Sequence, residues 1–134
     1  MTRQPGEPLR LSAAQLVEEA GHQVTAFAVD EALALLEHPD WLVVDIRDPR
    51  EIAKLGAIPG AFRAPRGMLE FWVDPLSPYY KPALDDGRRL LLYCGSGWRS
   101  ALAAAALQHM GRDDVAHLAG GFAAWQEAGY AVER

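Results

Sequence analysis

The chain has 134 residues, half of them hydrophobic, and a formal net charge of −5. That length fits one domain burying roughly 65–70% of its unfolded surface, and the apolar content excludes global disorder. The acidic balance argues against nucleic acid as a main partner, and no apolar run nears the ~20 residues of a membrane helix, so a soluble protein without membrane contact is expected.

Residues 1–10 are polar and carry Pro5 and Pro8, which reads as a flexible N-terminal tail rather than a signal peptide. A single domain is expected over 11–134. Leu11 to Ala20 has an amphipathic helical pattern with Ser12 as N-cap, and Gly21 is expected to end it. Val24 to Ala28 reads as a short strand. Asp30 is expected to cap a helix through Glu37, stopped by Pro39. The apolar run Trp41 to Ile46, with Asp45 and Arg47 at its close, predicts a strand buried on both faces. Asp48 and Pro49 open a helix to about Leu55, and Gly60 to Ala64 is a weak strand. Strand 90–94, helix 100–110, strand 114–118 and a last helix from Gly120-Gly121 through Ala128 complete the chain. Strands alternating with helices predict an α/β fold, a mostly parallel sheet with helices on both faces.

The segment 66–86 breaks this rhythm. Gly67 to Trp72 can form one or two helical turns, but Pro75, Pro78 and Pro82 prevent long regular structure. Its aromatic residues Phe71, Trp72, Tyr79 and Tyr80 either line a binding site or pin the loop to the body.

Cys94 is the only cysteine, which excludes an intrachain disulfide and any cysteine cluster for metal. It stands at the end of a buried strand and before the N-terminus of an alanine-rich helix, where unpaired N–H groups and the helix dipole favour thiolate over thiol. Gly95 and Gly97 can turn further N–H groups toward one point, and Arg99 adds a fixed positive charge. Arg47, Arg50, Arg63, Arg66 and Arg99 all lie near segments that end on one edge of an open α/β sheet. A locally positive mouth is expected there, partly neutralised by pairs with Asp48, Glu51 or Glu70. His22, His38, His109 and His117 have no partner at triad or metal spacing and read as structural or surface residues.

Cys94-Gly95-Ser96-Gly97-Trp98-Arg99-Ser100 resembles the active-site loop of rhodanese-like sulfurtransferases, in the C-x-x-G-x-R-S form. Val43-Val44-Asp45-Ile46-Arg47 with Glu51 resembles the family's V-D-x-R-x-x-x-E segment. Gly56 to Ala61 resembles its G-H-I-P-G-A turn, with Ala57 in place of histidine. Leu118-Ala119-Gly120-Gly121-Phe122 with Trp125 resembles its closing L-x-G-G-x-x-x-W segment. The resemblance, closest to single-domain thiosulfate sulfurtransferases, spans about Val24 to Val132 and implies a rhodanese-like fold with a five-stranded sheet. Against that family, 66–86 reads as an insertion.

The resemblance further implies sulfane-sulfur transfer from thiosulfate or a persulfide donor to a thiol or cyanide, with Cys94 as nucleophile and persulfide site. Gly95, Ser96, Gly97, Trp98, Arg99 and Ser100 would form the binding loop. Asp45 is expected to accept hydrogen bonds from that loop, Arg47 to support it or pair with Glu51, and Arg99 to attract the donor or brace the loop. No metal or organic cofactor is implied. The partners are a small anionic donor, a thiol acceptor and in some settings a sulfur-relay protein; a lone reactive thiol suits the cytoplasm. Two other readings stand beside this one. One is a non-catalytic binding or regulatory module. The other is a cysteine phosphatase or arsenate reductase, whose loops place five residues between cysteine and arginine where four stand here.

Overall fold

A computed structural model describes residues 2–134. The elements run α1 (Ala13–Gln23), β1 (Thr25–Phe27), α2 (Val29–Leu35), β2 (Trp41–Asp45), α3 (Pro49–Leu55), β3 (Phe62–Arg63), α4 (Leu69–Val73), β4 (Arg89–Tyr93), α5 (Trp98–His109), β5 (Val115–Leu118) and α6 (Gly121–Glu127). Single 3-10 turns at Arg66–Met68 and Pro82–Leu84 flank the irregular stretch. The five strands form one sheet in the order β1-β5-β4-β2-β3, and every strand pair is parallel rather than most of them. No helix among the described residues is long and apolar enough to cross a membrane.

Strand alternation divides the interior in two. Leu42, Val44, Leu90, Leu92, Cys94 and Val115 face α4 and α5, whose Leu69, Val73, Ala103, Ala104 and Leu107 close that layer. Val43, Leu91, Tyr93, Ala116 and Leu118 face the other way, against Ala32 of α2 and Phe122 and Trp125 of α6. The alanines of α5 let its backbone lie close to β4 and β5.

Several boundaries differ from the sequence reading. The first helix does not end at Gly21, because that glycine keeps helical backbone angles. Val24, in extended conformation, ends the helix with its N–H still donating to Ala20 O. Asp30 is inside α2 and does not cap it. The N-cap is Ala28, whose N–H donates to Glu31 Oε1 at 2.9 Å. That helix stops at Leu35, not Glu37. The fifth helix begins at Trp98 rather than Ser100, because Gly97 adopts φ 103° and turns the chain directly into the first helical residue. Ser12 and Asp48 cap α1 and α3 as expected.

In the 66–86 segment Leu69, Val73 and Leu84 are buried, while Phe71, Leu76 and Tyr79 are exposed. Phe71 meets Tyr79 edge to face, Lys81 Nζ lies 4.6 Å from the Trp72 ring, and Tyr80 donates to Asp85. Leu69, Val73 and Leu84 therefore pin the segment together with part-buried Trp72, which packs against the same core, while Phe71 and Tyr79 lie on its surface.

The closing segment holds the Cys94 loop. Phe122 N–H donates to Cys94 O at 2.8 Å and Ala123 N–H to Gly95 O at 3.0 Å. Gly121 makes this approach possible: its φ is 60°, and a Cβ there would lie 2.5 Å from Cys94 O. Gly121→Ala is expected to cost about 2–4 kcal/mol, from left-handed strain plus displacement of the loop. Thermal unfolding checks this, and a variant as stable as the parent would contradict the described packing.

Candidate active site

Cys94 leaves β4 at the carboxyl edge of the sheet, where parallel α/β sheets place their ligand crevices. Its side chain points to the α5 side and is fully buried. The N–H of Gly97 lies 3.2 Å from Sγ, the N–H of Ser100 3.4 Å and the Ser100 hydroxyl 3.6 Å. Ser100 is in the first turn of α5, so its N–H is one that the helix leaves without an internal acceptor. Burial pushes the Cys94 thiol up. The Ser100 hydroxyl and the N–H groups of Ser100, Gly97 and Ser96 pull it down further, and the net shift is below an ordinary thiol.

Arg99 and Glu51 form a two-pronged pair beside this loop, Nη1 to Oε1 at 2.7 Å and Nη2 to Oε2 at 2.9 Å. The hydrogen bond from Arg99 draws the Glu51 carboxyl below its usual range against an opposing effect of burial. The pair is part-exposed, so it contributes little to stability, about 0–1 kcal/mol, and chiefly fixes the guanidinium beneath Gly95. Trp98 projects outward and is 53% exposed.

Asp45 and Arg47 stand elsewhere than expected. Asp45 accepts from Arg47 Nε at 3.0 Å, Arg47 Nη2 at 2.8 Å and Tyr93 OH at 2.6 Å, and no bond joins it to the Cys94 loop. Arg47 pairs with Asp45 instead of Glu51, and its Nη2 also donates to Gly56 O at 2.7 Å. Alternation explains both corrections: Asp45 and Tyr93 are register partners on the face opposite Cys94. Tyr93 OH in turn accepts from Ile58 N–H at 3.0 Å, so this buried cluster fixes the 56–61 turn. Ala57 is buried in that turn and pairs with Glu133.

The positive mouth is largely neutralised. Arg50 pairs with Asp48, Arg66 with Glu70 and Arg99 with Glu51, while Arg47 is buried. One residue read in the sequence as structural or surface, without a partner, stands at the site: His117 is buried in β5 with Nδ1 2.9 Å from Ser100 Oγ. A lone histidine in a strand carries no sequence signal of that contact. Among the described residues no three His, Cys, Asp or Glu side chains gather as a metal site. A surface cavity lined by Thr25, Phe27, Trp41 and Arg89 lies at the opposite, amino-terminal edge of the sheet, away from Cys94.

This architecture recurs in known proteins. A protein of Rhodopseudomonas palustris, of unknown function and described as a possible tyrosine phosphatase, has a structure that superposes with a TM-score of 0.92. It is 43% identical and covers 97% of this chain and 100% of its own. A sulfurtransferase of Allochromatium vinosum is 36% identical over 98 residues, 73% of this chain and 83% of the relative. A thiosulfate sulfurtransferase of Shewanella oneidensis is 34% identical over 101 residues, 75% of this chain and 91% of the relative. The rhodanese-like domain pattern matches residues 28–128, from the N-cap of α2 to the end of α6, and the chain belongs to the rhodanese-like domain family.

Proposed function

We propose that the protein is a sulfurtransferase that carries sulfane sulfur on Cys94 as a persulfide. The observation that carries this reading is the convergence of the Gly97 and Ser100 N–H groups on Sγ, with the Ser100 hydroxyl 3.6 Å from the same sulfur. These donors favour a sulfur anion, whether thiolate or persulfide, as an oxyanion hole favours an alkoxide. The Cys94 thiolate attacks the outer sulfur of thiosulfate. A bond forms between Sγ and that sulfur, and the old S–S bond breaks with its electron pair leaving on sulfite. A thiolate or cyanide then takes the terminal sulfur and releases the Cys94 thiolate, so no external oxidant or reductant is consumed. Gly95, Ser96 and Gly97 shape the loop, Arg99, held two-pronged by Glu51, braces it, and Trp98 stands at the rim. A protein persulfide could replace thiosulfate as donor through the same two displacements. A single thiol kept reduced for reaction fits a cytoplasmic setting.

The phosphatase reading is weaker. Four residues separate Cys94 from Arg99, a smaller ring than one built for a tetrahedral oxyanion. A phosphatase also needs a protonated acid for the leaving group. The carboxyl groups next to Arg99 are poor candidates: Asp48 is held below its usual range by the Arg50 backbone and side chain, and Glu51 by Arg99.

Intact mass after incubation with thiosulfate, and again after a reducing thiol, tests the proposal. Gain of one sulfur atom, reversed by the thiol, is expected. No gain with thiosulfate, polysulfide or a protein persulfide would leave the non-catalytic binding module as the reading.

A further inference from the structure

β5 pairs with β4 so that His117 stands beside Leu92, on the same face of the sheet as Cys94. Its Nδ1 lies 2.9 Å from Ser100 Oγ, and Cys94 Sγ lies 3.6 Å from that same oxygen. Ser100 is fully buried and its hydroxyl has a single proton. Three neighbours can receive that proton: His117 Nδ1, Gly97 O at 3.3 Å and the sulfur. Which of them does so depends on the tautomer of His117.

With the ring proton on Nε2, Nδ1 accepts the serine proton, and Oγ turns a lone pair toward the sulfur. That orientation suits a thiol, which can donate to Oγ, and repels a thiolate. With the ring proton on Nδ1, His117 donates to Oγ and the serine proton is released toward Sγ or Gly97 O. A sulfur anion is the stronger acceptor of the two. We propose that His117 is a positioning residue for the sulfur: its neutral ring, protonated at Nδ1, donates to Ser100 Oγ and thereby turns the serine hydroxyl onto Cys94 Sγ. The proposal deepens the reading of Cys94 as the sulfur carrier and rests on it for its role in transfer. The ring itself transfers no proton and takes no charge. Burial lowers the pKa of His117, which favours the neutral ring. The charges beside the sulfur are Arg99 of α5 and its partner Glu51 of α3, on the loop side of the thiol.

The test uses the single cysteine, because the ultraviolet thiolate signal, read against Cys94→Ser, belongs to Cys94 alone. Ser100→Ala is expected to move thiolate formation to higher pH, His117→Leu to move it part of the way because its serine is no longer turned onto the sulfur, and the double variant no further than Ser100→Ala. Persulfide formation at pH 7 should slow about 10-fold in Ser100→Ala, the loss expected for one charge-assisted hydrogen bond, and by less in His117→Leu. His117→Asn places an amide nitrogen where Nδ1 stands and cannot titrate, so it should restore the parental thiolate titration. Nitrogen-15 NMR of the parent protein should find Nδ1 protonated, a readout independent of whether any variant folds. A Nε2-protonated ring, a parental titration in His117→Leu, additive shifts in the double variant, or an Asn variant matching Leu would each overturn the proposal. The titration needs no sulfur donor, so a protein that forms no persulfide would lose the functional reading while the His117 result stood.

Discussion

Cys94→Ser is expected to lower sulfur transfer by at least about 10³-fold, because a serine hydroxyl at the same place cannot form a persulfide and is a far weaker nucleophile at neutral pH. The fold should survive: the serine oxygen inherits the Gly97 and Ser100 N–H donors, and the stability change should stay near about 1 kcal/mol. Transfer assayed with thiosulfate and cyanide, beside circular dichroism, checks both halves. Transfer above background in a folded Cys94→Ser protein would refute Cys94 as carrier. The parent protein should also show a characteristic pH profile. Burial raises the thiol pKa, but the Ser100 hydroxyl and the loop N–H groups lower it further, so the thiolate forms at lower pH than in a free cysteine. Persulfide formation should therefore rise with pH, turn over below the range of an ordinary thiol and then stay level.

The largest effect on stability is expected away from the sulfur. Asp45→Ala would leave the Arg47 guanidinium buried without its two-pronged partner and would remove the acceptor of Tyr93 OH. Arg47 Nη1 already has no hydrogen-bond partner, so little in the vicinity can compensate. Leaving a buried charge unpaired typically costs about 3–5 kcal/mol, and for a chain of this size that is a fall in Tm of roughly 10–20 °C. Asp45→Leu combined with Arg47→Met should regain part of the loss, since a buried pair replaced by apolar groups of similar volume is often neutral. Calorimetry of the three variants decides it. A single Asp45→Ala change within about 1 kcal/mol of the parent would mean the pair is not the buried clamp described.

The architecture was legible because β2, β4 and β5 are announced by apolar runs and several crossovers by capping residues or glycines, as at Ser12, Asp48-Pro49 and Gly120-Gly121. The loop around Cys94 was legible for the same reason, since its glycines and arginine are contiguous. What stayed hidden depended on which face a side chain takes. Asp45 is close in register to the cysteine loop, yet alternation sends it to the opposite face, and only the β2–β4 register reveals that. His117 is the converse case: 23 residues after Cys94, it reaches Ser100 only because β5 lies next to β4. The start of α5 was misplaced because Gly97, read as loop, is the hinge that lets the helix begin one residue later.

The bonds from Phe122 and Ala123 to the Cys94 loop bear on when the surroundings of this thiol become rigid. During synthesis Cys94 and its helix emerge well before residues 115–123, yet β4 gains its β5 neighbour, and the loop its two carbonyl anchors, only from that later stretch. Until it arrives, the loop that holds the Ser96, Gly97 and Ser100 donors on the sulfur lacks those two anchors. The rigidity of the sulfur's surroundings is thus tied to completion of the sheet. A chain truncated before Gly120 is expected to keep the thiol and its local donors but to lose the anchors that fix their geometry.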